Sequence, residues 1–69
     1  MAASCTVRFK HGGAGPSAVL MWRGRSLNYI AFPKGQRVTV AAARRAKAQL
    51  MRGCAGLVRD EQRRARRRR

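Results

Sequence analysis

The stretch Ile30-Ala31-Phe32-Pro33-Lys34-Gly35-Gln36-Arg37-Val38-Thr39-Val40 constrains this chain more than any other, because it reads as strand, tight turn and strand. Pro33 presets the backbone for the second position of a type I turn and Gly35 suits the fourth. Val38 and Val40 then alternate with polar Arg37 and Thr39, which is the period of a half-buried strand. Directly behind lies Ala41 to Arg52, rich in good helix formers and followed by Gly53, the residue that helices favour for a left-handed end. A hairpin followed by a helix is the expected skeleton.

Upstream, Thr6-Val7-Arg8-Phe9-Lys10 alternates, placing Val7 and Phe9 on one face and Arg8 and Lys10 on the other. His11-Gly12-Gly13-Ala14-Gly15-Pro16-Ser17 reads as a loop. It is not a phosphate-cradling loop, which needs a Gly-Lys-Ser/Thr ending with a helix behind it. Ala18-Val19-Leu20-Met21-Trp22 is apolar and short, so its length favours a strand, and after a turn at 23–26 the chain returns through Leu27 to Phe32. The expected architecture is α+β: a small antiparallel meander of three to four strands, covered by one helix and followed by a basic C-terminal arm. Residues 1–58 would form the domain and residues 59–69 the arm.

The helix has apolar positions at Ala43, Ala46 and Leu50, extended by Met51 and Cys54, and this narrow stripe makes it a thin lid. Leu57 and Val58 are expected to pack back or to add a short strand. A chain of 69 residues buries only about 60% of the surface that its unfolded form exposes, so stability is expected to be marginal without a partner. Cys5 and Cys54 allow at most one bridge. Without a signal segment or a zinc-type spacing, they are expected to be reduced, structural thiols.

Charge bears most directly on function. Lys and Arg number 17 against 2 acids, a formal +15, and the first acid in the chain is Asp60. Such a field repels further copies and calls for a polyanion or an acidic protein surface as partner. An acid-poor, Arg-containing leader can also be a transit peptide, but the strand pattern at Val7 and Phe9 and the glycines behind it argue against that here.

Arg63, Arg64, Arg66, Arg67, Arg68 and Arg69 form the densest run, and forked guanidinium donors match phosphate oxygens in pairs. Arg44, Arg45, Lys47 and Arg52 form a second set on the helix, and Arg8, Lys10, Arg23, Arg25, Lys34 and Arg37 fall on strands or turns. The first two sets are the candidate contacts to nucleic-acid backbone or to an acidic groove. Phe9, Trp22, Tyr29 and Phe32 are expected to pack in the core rather than stack on bases. His11 is the only histidine, and the adjacent Asp60 and Glu61 are expected to pair with Arg63 and Arg64. No catalytic constellation, metal set or cofactor motif emerges, so the expectation is a non-enzymatic protein without a small-molecule substrate or a membrane segment.

A first strand ending in glycines, a middle strand pair, then Phe32-Pro33-Lys34-Gly35-Gln36-Arg37-Val38-Thr39-Val40 and a helix with Ala46 and Leu50 together resemble the small structural proteins encoded among the head genes of tailed bacteriophages. The likeness covers about residues 6 to 58. This chain departs from that pattern in its basic helix and its arginine run. The resemblance implies a virion component bracing the capsid or head-to-tail region, in contact with other subunits and facing packaged DNA. The composition equally suits a small ribosomal protein, bacterial or organellar, whose arm neutralises rRNA phosphates. A helix reading the major groove fits less well, because only Gln49 on this helix offers an amide to a base edge.

Overall fold

The structure, a computed structural model, describes residues 4–67. Three strands run Thr6–Gly12 (β1), Gly15–Trp22 (β2) and Arg25–Ala31 (β3), followed by helices Val40–Arg52 (α1) and Cys54–Arg67 (α2). The strands form one antiparallel sheet in the order β1-β2-β3. Each strand pairs with its neighbour in sequence, because the connections are too short to reach elsewhere.

Both connections hold two residues. Gly12 pairs with Gly15 across Gly13–Ala14, and Trp22 pairs with Arg25 across Arg23–Gly24. Arg23 and Gly24 have φ of 50° and 78°. Two successive positive values define the type I′ turn, whose twist matches that of the strands on either side. The Arg23 guanidinium lies 4.9 Å from the centre of the Trp22 ring. The segment 11–17, expected as a loop, is therefore the tip of a hairpin.

Pairing sorts the side chains between two faces. Val7 with Leu20, and Phe9 with Ala18 and Ile30, share the face beneath the helices. Arg8, Val19 and Tyr29 form a row on the other face, with Lys10, Ser17 and Ala31 one step along. A bulge opposite Leu20 and Met21 leaves Leu27 as an extra residue in β3, and Leu27 packs against the core.

The core comprises Cys5, Ala18, Leu20, Ala46, Leu50, Cys54 and Val58. Leu20 and Leu50 are its fully buried large side chains, and truncating such a leucine to alanine costs about 2–5 kcal/mol. Val7, Trp22, Leu27, Ile30, Phe32 and Leu57 pack around it. Val19 is also buried yet lies outside this cluster, as its place on the opposite face requires.

The hairpin expected over residues 30–40 does not form, and the strands among the described residues number three, the lower end of the expected three to four. The Pro33 carbonyl accepts from the Gln36 N–H, so the turn begins at Pro33 and places Gly35, with φ of 84°, at a central position that needs a positive value. Thr39 then acts as the α1 N-cap: its hydroxyl accepts from the Ala42 N–H at 3.1 Å, and its carbonyl accepts from the Ala43 N–H. A Thr cap in front of an alanine run outcompetes a short alternating segment that has no partner strand. Val40 is consequently helical and 69% exposed.

Gly53 is in the right-handed region, not left-handed. The chain therefore passes straight into α2, with the Gly53 carbonyl accepting from the Leu57 N–H. Cys54, Leu57, Val58 and Glu61 form the inward stripe of α2, while residues 62–67 are all exposed. The expected boundary between residues 58 and 59 falls inside this helix, so the segment expected as an arm is helical as far as Arg67. Leu57 and Val58 pack back as residues of this second helix, not as a strand.

Cys5 and Cys54 form a disulfide with a Cα separation of 6.2 Å, which corrects the expectation of reduced thiols. It joins the entry to β1 to the first residue of α2, two points that only the closed fold brings together. Arg25 on β3 pairs with Glu61 on α2. Glu61 therefore reaches across to the sheet instead of pairing along its own helix, because it lies on the inward stripe. The last turn and a half of α2 is exposed throughout, and the radius of gyration is 13.5 Å, against about 11 Å for a compact chain of this length.

Candidate nucleic-acid interface

Helical geometry decides which basic residues can act together. On α2 the inward stripe is Cys54, Leu57, Val58 and Glu61. At 100° per residue the opposite side is occupied by Arg59, Arg63, Arg66 and Arg67, all exposed. These four lie within about 12 Å along the axis. Arg59 was absent from the candidates read from sequence, although its spacing to Arg63, Arg66 and Arg67 is the amphipathic pattern that would have found it. Arg64 falls to one side, lining a small recess with Ser26, Leu27, Leu57, Asp60 and Glu61. Arg68 and Arg69 lie outside the described residues.

On α1 the candidates divide. Ala46 and Leu50 are buried, and Ala43 is half-buried beside them. Arg44, Arg45 and Arg52 share the outer face, whereas Lys47 projects on a flank. All four are exposed. Met51, expected to extend the apolar stripe, is 38% exposed instead, because it lies about 100° around the helix from Leu50 and further still from Ala46.

What holds α2 in place is local and specific. Its first residue is cross-linked to Cys5, Val58 fills the core one turn on, and Glu61 meets Arg25 a turn beyond that. The arginine face is therefore presented on a rod fixed at one end. A rod with arginines on one side can follow the phosphates of a polyanion without first being ordered, which lowers the entropy cost of binding.

The aromatics divide between two environments. Trp22 and Phe32 pack against the core, but Phe9 and Tyr29 are 53% and 65% exposed, against the expectation that all four are packed. Phe9, Phe32 and Val38, with Pro16 and Ala43, form the apolar part of an open cleft of about 480 Å³, edged by Lys10, His11 and Arg37. Among the described residues no helix is long and apolar enough to cross a membrane, and no group of three His, Cys, Asp or Glu is placed to hold a metal ion.

No protein-family model, curated protein or solved structure matches this chain.

Proposed function

We propose that this protein is a non-enzymatic structural component of a large nucleic-acid-containing particle, anchored there by the outer face of α2. The observation that carries this reading is the alignment of Arg59, Arg63, Arg66 and Arg67 opposite the buried stripe of a helix tied to the sheet. Guanidinium groups in that array suit phosphate oxygens, and binding of this kind is non-specific in sequence and falls steeply with salt. Arg45, Arg52, Arg44 and Lys47 on α1 extend the basic surface, and the sheet and its cleft are left for protein neighbours.

The particle is most simply a tailed-phage virion, in line with the resemblance of residues 6–58 to small head proteins. A second observation favours that over a ribosome. The Cys5–Cys54 disulfide belongs to proteins that work outside a reducing cytosol, a class that includes virion surfaces.

The test is mass spectrometry on gradient-purified particles from the source cells, comparing filled virions, empty shells and ribosomal subunits. The protein is expected in virions, with its retention lowered by salt. Recovery with ribosomal subunits, and release from them by RNase, would assign it to rRNA and reject the virion reading. A fixed ratio in filled and empty shells alike would assign the anchoring to an acidic protein groove rather than to DNA.

A further inference from the structure

The face of the sheet that the helices leave open is a second, chemically different surface. Its central row is Arg8 on β1, Val19 on β2 and Tyr29 on β3, and its next row is Lys10, Ser17 and Ala31. Val19 is only 6% exposed although no helix covers it, so the long side chains in register on either side, Arg8 and Tyr29, are what can shield it. Ser17 and Ala31 are small. The result is a shallow floor with two cations along one edge and a tyrosine, 65% exposed, along the other.

We infer that this face binds single-stranded nucleic acid, with a base stacked on Tyr29 and the adjoining backbone on Arg8 and Lys10. The inference shares with the reading above the premise of a nucleic-acid partner, but it places the contact on different residues and names the strandedness of the ligand. Charge complementarity selects the occupant. The acids of the chain are Asp60 and Glu61, both on α2, which packs on the other face, and Glu61 is paired with Arg25. The open face therefore carries cations and no acid. A second copy of the chain, itself at +15, is repelled.

The exposed ring separates single strands from duplex. Neighbouring strands are about 4.8 Å apart, so the tyrosine edge and the cation edge are about 10 Å apart at the backbone. That is wide enough for one nucleotide to lie across the sheet, ring to ring at one end and phosphate to guanidinium at the other. Within a duplex both faces of each internal base are already stacked, and along its length Tyr29 meets only the outside of the helix. Trp22 does not serve in the same way, since Arg23 lies over its ring and its body packs on the core.

The experiment uses the full oxidised chain and measures fluorescence anisotropy with a labelled oligothymidylate and with a blunt duplex of equal length. Tyr29→Ala is expected to weaken oligothymidylate binding about tenfold and leave duplex binding unchanged, and Tyr29→Phe is expected to bind like the parent. Equal affinity of parent and Tyr29→Ala for oligothymidylate, or an equal loss on both ligands, overturns the inference. A variant in which Arg59, Arg63, Arg66 and Arg67 are all serine reports separately on α2. If that variant binds duplex like the parent while Tyr29→Ala loses oligothymidylate, the α2 reading fails and this one stands. Failure of the parent to bind either ligand rejects both. Ultraviolet cross-linking of oligothymidylate to the unsubstituted protein gives a readout independent of any variant's folding: adducts on the peptide holding Tyr29 support the inference, and adducts confined to α2 overturn it.

Discussion

Gly24 has φ of 78° with open space where a Cβ would sit, so an alanine there meets no neighbour and pays only in backbone strain. Gly24→Ala is expected to destabilise the protein by about 1–2 kcal/mol, seen as a lower midpoint in a urea titration at unchanged slope. An unchanged midpoint would mean that the β2–β3 turn takes another form. Arg23, beside it, tolerates a positive φ while its guanidinium rests on Trp22, a contact worth about 0.5–1 kcal/mol at an exposed site. At this scale a residue's identity predicts its conformation wherever the residue type has one dominant use. Gly35 marked a turn, although one position away from the place assigned to it. Thr39 caps a helix where a strand is expected, since its hydroxyl suits both, and the lack of a partner strand together with the alanines after it decides between them.

Helix α2 is the element whose stability depends most on a single bond. Cys54 is its first residue, and the bridge to Cys5 closes a loop across 49 positions of sequence. In the loop-entropy model such a bridge contributes about 4 kcal/mol, against a total of about 3–10 kcal/mol for a chain of this size. Reduction, or replacement of both cysteines by serine, is expected to lower the thermal midpoint by about 15 °C or more. It is also expected to open the 54–67 segment to protease before the sheet. Coincident melts of the oxidised and reduced chains would show that the bridge carries none of the fold. Neither consequence could be read from the order of residues. A pair of cysteines this far apart in sequence has no spacing signal, and the bridge forms only because the fold brings Cys5 beside Cys54.

For the molecule as a whole, the dominant quantity is charge held on one side of a rod. If the four outer arginines of α2 each neutralise one phosphate of duplex DNA, the salt slope of binding is about −3.6, and affinity falls about 100-fold between 50 and 200 mM salt. Serine at Arg59, Arg63, Arg66 and Arg67 is expected to remove most of that slope while leaving the melt unchanged, because all four are exposed. A slope that persists in this variant would move the phosphate contacts to Arg44, Arg45, Lys47 and Arg52 on α1. Because α2 packs its inward stripe on the Ala18 and Leu20 face of the sheet, its outer arginines and the opposite sheet face with Arg8, Val19 and Tyr29 lie on different sides of the molecule. The two proposed nucleic-acid contacts can therefore be assayed one at a time.

The sequence by itself determined the α+β class, the positions of β1, β2, β3 and α1, and the excess of positive charge. Each of these follows from local chemistry: alternation, helix propensity, turn residues and a count of ionisable groups. Tertiary structure decided the rest. Residues 37–40 lost their strand because β3 is an edge strand that took no further partner, while Thr39 found a helix to cap. Residues 54–67 became a helix because Cys54, Leu57, Val58 and Glu61 could reach the sheet, the core and Arg25. That docking is what turned a run of arginines into one aligned face. Local pattern can place a charge in the chain, but only packing decides which charges look outward together.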